Sequence, residues 1–310
     1  MNSQQVPALS PNSIRQRDNP TVITVRRLFK HHSAQLGMFL LLILIICAVF
    51  AEQIAPFDPI VPLKNVKRRD TACIHLLGCP ADKPQHLMGI DGNSRDLFSR
   101  IVFGARLSLK IGVATVSLAI VIGALLGAIA GFIGGWLDDL IMRSLDVLQA
   151  FPGLLLAIAI VAVLGPGLIN ALLAIAIIEI PIFARVVRAS VLSVKELEYI
   201  TASRALGASE LRILFTRILP NSLTPLIVQG TLGIASAILS AAALSFLGLG
   251  AEFPIPEWGL MLGEERNSVF NAPHLVFYPG IAIMITVLSF NLLGDGLRDA
   301  LDPRLTHMNS

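Results

Sequence analysis

The chain has 310 residues, of which 54% are hydrophobic and only 15% charged, and its formal net charge is +3. A soluble domain has no use for that much apolar surface, so the excess must face lipid, and the composition excludes an ordinary soluble enzyme. The small positive charge is accounted for by basic loops flanking helices and points to no nucleic-acid partner.

Residues 1–35 form a polar segment with Arg15, Arg17, Arg26, Arg27 and Lys30. The first apolar run begins only near Leu36, so no signal peptide is expected and the segment reads as a cytoplasmic tail. A membrane-crossing helix needs about 20 apolar residues. Six stretches qualify: Leu36 to Ile54, Leu107 to Ile129, Leu140 to Leu164, Ile169 to Val187, Leu223 to Leu247 and Pro279 to Leu297. The predicted fold class is therefore an all-α integral membrane protein with six transmembrane helices. The first helix (36–54) is followed by an external loop (55–106) and a five-helix core (107–300), and residues 301–310 form a cytoplasmic C-terminal tail.

Cys47 lies inside the first apolar run and reads as a small packing residue. Cys73 and Cys79 stand in the polar loop that follows, with His75 and His86 nearby. In an oxidising space a disulfide is the leading reading of that pair. A metal site built from the same four residues lacks the tight two-residue spacing such sites use, so no metal is expected. In the second span Gly123, Gly127 and Gly131 recur every four residues, giving one small-residue face for close helix packing. In the third, Asp139, Arg143 and Asp146 share a face and read as an ion pair near the interface, with a gating role as the sharper alternative.

Glu179, beside Pro181, is the single carboxylate well inside an apolar run. Charge at that depth is expensive and faces a cavity or a partner, so Glu179 is a candidate for lining a pathway. Glu252, Glu257, Trp258, Glu264 and Glu265 make the last long loop acidic. It reads as a solvated loop or as a contact for an external partner.

The loops on the side of both termini carry thirteen Lys and Arg residues against eight on the other side. This bias places both termini in the cytoplasm. The segment 188–221 belongs to that same side. There Lys195 to Leu206 reads as a short helix of good helix formers, and Gly207 supplies the turn at its end. Ser209 can cap a second helix, and Pro220 stands where the next span begins. The result is a cytoplasmic helix-turn-helix with Ile200, Leu206 and Ile213 available as apolar contacts, a shape suited to docking.

This segment resembles the EAA loop of ATP-binding-cassette importer permeases. Thr201, Ala202, Ser203, Gly207, Leu219 and Pro220 fall at the positions of that pattern, with Thr201, Ser203 and Arg217 departing from its usual Glu, Ala and Ile. The departures match the peptide and nickel branch, which the runs around Arg204-Ala205-Leu206-Gly207 and Leu219-Pro220-Asn221 also resemble. Further runs resemble that branch in order: Gly89 to Asp91, Ser94 to Arg100, Ser245 to Ala251, Pro256 to Gly259, and Gly294 to Pro303. Together they look like the C-type subunit of dipeptide, oligopeptide or glutathione importers. The resemblance implies a bacterial inner-membrane permease without catalytic residues or cofactor. Its implied partners are a homologous second permease, two cytoplasmic ATPases that each grip an EAA loop, and a binding protein that delivers short peptides. Thr201, Ala202, Ser203, Arg204, Leu206, Gly207, Leu219 and Pro220 become the expected ATPase-coupling residues. A nickel or other small-solute importer is the alternative cargo.

Two other classes fit less well. The chain has no phosphate-binding loop of the Gly-x4-Gly-Lys type, so nucleotide chemistry must lie elsewhere. An intramembrane enzyme needs a nucleophile with a base, or paired acids, in its apolar spans, and Glu179 stands alone. A secondary transporter predicts inverted repeats with broken helices, and no such repeat is visible in the sequence.

Overall fold

The computed structural model describes residues 31–80 and 82–301, together with 26, 28 and 29. The basic positions Arg15, Arg17, Arg27, Lys30 and Arg304, and the tail after Leu301, lie outside the described residues. Helices dominate. α1 (His32–Val49) and the short α2 (Ala51–Ile54) are followed, after a long irregular loop, by α3 (Leu97–Ile133). Next come α4 (Gly135–Gln149), α5 (Gly153–Leu164), α6 (Leu168–Lys195), α7 (Glu198–Ala205) and α8 (Glu210–Ile213). α9 (Leu219–Phe246), α10 (Trp258–Glu265) and α11 (His274–Leu301) complete the chain. Among the described residues the only β pairing is two isolated bridges.

Among the described residues five helices are long and apolar enough to cross a membrane, and the count reaches six if the bent pair α4 and α5 forms one span. The predicted third span, Leu140 to Leu164, is thus corrected: it is two helices meeting at 91°. Pro152 explains the break, because it cannot donate to a helix and it disfavours helical geometry at Phe151 before it. α3 also starts ten residues before the predicted span. Asp96 caps it, accepting from Ser99 N at 2.8 Å, and the charged side chains in its first turns hide it from an apolar count.

Small residues set the packing of the bundle. On α3, a methyl at Gly123 would sit 2.8 Å from the Ile180 carbonyl, and one at Gly131 would sit 3.0 Å from that of Arg188. α3 and α6 therefore approach backbone to backbone along the glycine face. α1 closes on α11 in the same way: a methyl at Gly37 would lie 2.8 Å from Leu293 N. The main core lies between α3, α6 and α9, with Val116, Phe183, Val187, Val191 and Leu244 buried there.

The helix directions give the bundle two sides. The loop side carries the end of α6, α7, α8 and the start of α9. The disulfide side carries residues 55–96 and the segment around α10.

Candidate functional site

On the loop side, α7 ends in a defined stop. Gly207 N donates to Arg204 O at 2.9 Å, and Ala208 N donates to Ser203 O at 3.1 Å. This pair of bonds is the Schellman closure, which requires a left-handed residue after the helix. Gly207 supplies it at φ +81°. Among the described residues nothing lies within 4 Å of where a Gly207 side chain would begin, so a substitution there meets backbone strain and no described neighbour.

Arg204 and Glu210 clip the two helices together across the turn, with Arg204 Nε 2.9 Å and Nη2 3.3 Å from the two carboxylate oxygens. Glu210, accepting these bonds, raises the Arg204 guanidinium further above its already high range. Ser209 precedes α8 but makes no side-chain cap bond. Ser203 Oγ turns back to the Tyr199 carbonyl at 2.7 Å. A π turn over Leu214–Ile218 carries α8 directly into α9, with Leu219 and Pro220 in the first turn of that helix.

The three apolar contacts expected of this loop separate. Ile200 and Ile213 are buried in the main core together with Ile218, so they are corrected from docking residues to anchors. Amphipathic spacing explains the difference, since a short helix lying on a bundle must bury one face. Leu206 is 88% exposed. Leu211 and Phe215 join it as exposed apolar groups that the sequence reading missed. Thr201, Ala202, Leu206 and Pro220 are exposed, whereas Ser203, Arg204 and Leu219 are half-buried. A groove of about 340 Å³ beside Leu206 is lined by Ser203, Ala208, Arg212, Thr216 and Arg217.

Inside the bundle, Glu179 is 6% exposed and accepts from Ser236 Oγ of α9 at 3.1 Å. The pairing expected among Asp139, Arg143 and Asp146 is corrected. Asp146 meets Arg185 of α6 at 2.5 Å, and Asp138 takes Arg188 of α6 with two bonds of 2.6 Å. These bonds fasten the bent α4 onto α6, and α4 is rotated so that Asp138 turns inward.

On the disulfide side, Cys73 and Cys79 are joined, with Cα atoms 5.4 Å apart. No group of His, Cys, Asp and Glu among the described residues is placed to hold a metal. The reading of the acidic loop as solvated is corrected as well. Glu257 is buried and caps α10, accepting from Gly259 N and Leu260 N, while burial pushes its carboxyl up. Trp258 is buried, with its indole donating to Ile101 O at 3.0 Å. Glu264 and Glu265 answer basic residues of the first loop. Arg95 Nη2 donates to Glu264 at 3.0 Å and Arg69 Nε to Glu265 at 3.1 Å. Arg95 Nε donates to Asp91 at 2.7 Å, and Arg100 Nη1 donates to the carbonyls of Pro59 and Pro254. Matching charges in two distant loops, Asp91, Arg95 and Arg100 against Glu264 and Glu265, were the available signal for this cluster.

Residues 123–307 match the family described as binding-protein-dependent transport system inner membrane component. Residues 19–70 match the N-terminal TM domain of oligopeptide transport permease C. The chain is 48% identical over 300 residues to the dipeptide transport system permease protein DppC of Alkalihalophilus pseudofirmus, covering 95% of each. It is 46% identical over 300 residues to the glutathione transport system permease protein GsiD of Escherichia coli O157:H7, covering 97% of this chain and 95% of that one. Against the di/tripeptide transport system permease protein DppC of Pseudomonas aeruginosa it is 48% identical over 278 residues, covering 89% of this chain and 90% of that one. Among solved structures, an inward-facing MetNI methionine ABC transporter chain aligns with a TM-score of 0.55 at 20% identity, over 66% of this chain and 98% of that one, which shows a shared fold.

Proposed function

The chain belongs to the family of binding-protein-dependent transport system inner membrane components, as a C-type permease subunit of an ATP-binding-cassette importer, and from that premise we propose that its cargo is short peptides. The cargoes for which its relatives are named support this reading, because dipeptide, di/tripeptide and glutathione permeases all match nearly the whole chain. The partners implied are a homologous second permease, two ATPases and a substrate-binding protein. In our reading both termini and the 188–221 loop are cytoplasmic, and the disulfide side faces outward.

The observation that carries the mechanism is the exposed Leu206 at a Schellman turn, on a helix-turn-helix anchored by buried Ile200, Ile213 and Ile218. A rigid, shallowly anchored element continuous with α9 can pass a push from a docked ATPase into a span. Thr201, Ala202, Ser203, Arg204, Leu206, Gly207, Leu219 and Pro220 form this coupling surface in our reading. Among them Leu206 enters the ATPase, Gly207 sets the turn and Arg204 clips the flanking helices across it. Glu179, bonded to Ser236, ties α6 to α9 next to the pathway.

The test is import by the complete complex in liposomes, supplied with its binding protein and ATP. Labelled dipeptides should accumulate and Ni²⁺ should not. Accumulation of Ni²⁺ without any di- or tripeptide would overturn the cargo. Ready labelling of a cysteine at position 209 from outside intact cells would overturn the orientation.

A further inference from the structure

On the loop side, the groove beside Leu206 has Arg212 and Arg217 as the only charged residues in its wall. Both arginines are exposed, and neither makes an ion pair among the described residues. The carboxylate of Glu210, which is close in sequence, is already taken by two bonds from Arg204. The two hydroxyls of the wall have spent their protons as well. Ser203 Oγ donates to Tyr199 O at 2.7 Å, and Thr216 Oγ1 donates to Arg212 O at 2.6 Å. The side-chain donors left to the groove are guanidinium N–H groups, so it takes an acceptor, and two positive charges make that acceptor an anion.

The backbone brings the two arginines to one groove. In an α-helix, residues five apart point about 140° away from each other, as 3.6 residues per turn requires. Here Leu219 N bonds to Leu214 O, and the π turn over Leu214–Ile218 adds a residue to that turn, which swings Arg217 back toward Arg212. Such turns are rare and occur mostly at functional sites. This one also gathers like charges, which repel on one helix face until an anion arrives. The carbonyls beneath are tied, that of Arg212 by Thr216 Oγ1 and that of Arg217 by Asn221 Nδ2, each at 2.6 Å. The groove therefore has a fixed floor.

We propose that this groove receives a carboxylate side chain of the ATPase, held between Arg212 and Arg217 while the adjacent Leu206 enters an apolar pocket of the same partner. The ATPase as occupant rests on the coupling reading of this loop, whereas the anion rests on the groove itself. The two contacts divide the work. Apolar burial of Leu206 is non-directional, and the planar forks of the arginines fix the register in which the ATPase seats.

The test joins zero-length cross-linking to subunit retention in the complete complex. Carbodiimide joins a carboxylate to a lysine amine in direct contact and leaves arginine unreacted, so Arg212→Lys and Arg217→Lys keep the charge and report what sits in the groove. Peptide mapping should find position 212 or 217 joined to an Asp or Glu of the ATPase. In R212Q/R217Q the bonds to the two carbonyls need no guanidinium, so the turn persists. Its ATPase retention at low salt should fall at least about tenfold, and the gap to wild type should close as salt screens the contact. No ATPase cross-link at either position, or wild-type retention by R212Q/R217Q, overturns the groove contact. So does a loss that appears only in anionic lipid, which would assign the groove to the membrane surface. If R212Q/R217Q holds the ATPase normally while Leu206→Asp releases it, the groove contact falls and the coupling loop stands. Normal retention and import in both variants would sink the coupling reading as well.

Discussion

On the disulfide side Arg95 and Arg100 are fully buried and answer Asp91 and Glu264, whereas on the loop side the Arg204–Glu210 clip is 34% and 55% exposed and spans only a turn. The first region consumes its charges internally, joining residues far apart in the chain. The second keeps its apolar tip, Leu206, outside and buries only its anchoring isoleucines. One region is built as a fixed platform, and the other keeps an apolar tip in the open, which in our reading awaits a partner. The difference shows that charge density alone does not mark an interface. The acidic run from Glu252 to Glu265 is as charged as any docking loop, yet most of it is turned inward.

The comparison breaks most visibly at Arg95. Its guanidinium bonds Asp91 and Glu264 and stacks on Phe253 with 4.9 Å to the ring centroid. Arg95→Ala leaves Asp91 and Glu264 with only Arg100, 3.5 Å from each, as counter-charge, and the loss should approach the roughly 3–5 kcal/mol of a broken buried pair. Thermal unfolding of the purified subunit, read by protease resistance of the 55–96 loop, should show it. A wild-type profile would mean that the platform is not held by charge. Next in size is the disulfide. Cys73→Ser opens a short loop and should remove about 2–3 kcal/mol. The same loop should become protease-sensitive in the variant, and in wild type after reduction, while transport stays near normal.

Much of this architecture could be read from the chain in advance, and what could not be read has physical causes. Five spans and the Gly207 turn follow from apolar run length and from the backbone freedom of glycine, both local properties. The 91° break in the third span escaped because α4 and α5 taken together have the length and apolarity of one span, and the Pro152 signal was not weighed against that run. The buried ion cluster escaped because it is made by residues about 170 positions apart, such as Arg95 and Glu264, whose pairing depends on the fold. Within the 188–221 loop, sequence marked the residues that matter for geometry but not which face they take. Ile200 and Leu206 look equally apolar in one short helix, and only packing on the bundle buries one and exposes the other.

The loop side should answer to function before stability. Gly207→Asp places a Cβ at φ +81°, a local strain of roughly 1–2 kcal/mol, with no clash among the described residues. Leu206→Asp removes an apolar contact that on burial contributes roughly 1.5–3 kcal/mol. Both variants should insert and fold normally. ATPase retention during purification should fall about tenfold or more, since each 1.4 kcal/mol is a factor of ten. Wild-type import with normal coupling in both would remove this loop as the transmission element.

The smallest effect belongs to the Arg204–Glu210 clip, and its size sharpens the contrast with Arg95. Both arginines make two charge-assisted bonds, at 2.9 and 3.3 Å for Arg204 and at 2.7 and 3.0 Å for Arg95, so a count of contacts ranks them alike. Solvent reaches the Arg204 pair, however, and water takes over when the partner is removed. An exposed pair is worth about 0–1 kcal/mol and is screened by salt. Arg204→Ala should therefore leave subunit stability within that range, and raising the ionic strength should erase what difference remains. The Schellman bonds of Gly207 and Ala208 persist without the clip, so the turn keeps its form and coupling declines only modestly. Matched unfolding curves of Arg204→Ala and Arg95→Ala at low and high salt decide the point. A salt-insensitive loss in Arg204→Ala as large as that in Arg95→Ala would show that the coupling turn is a buried platform of the same kind, and the division between the two sides would fail.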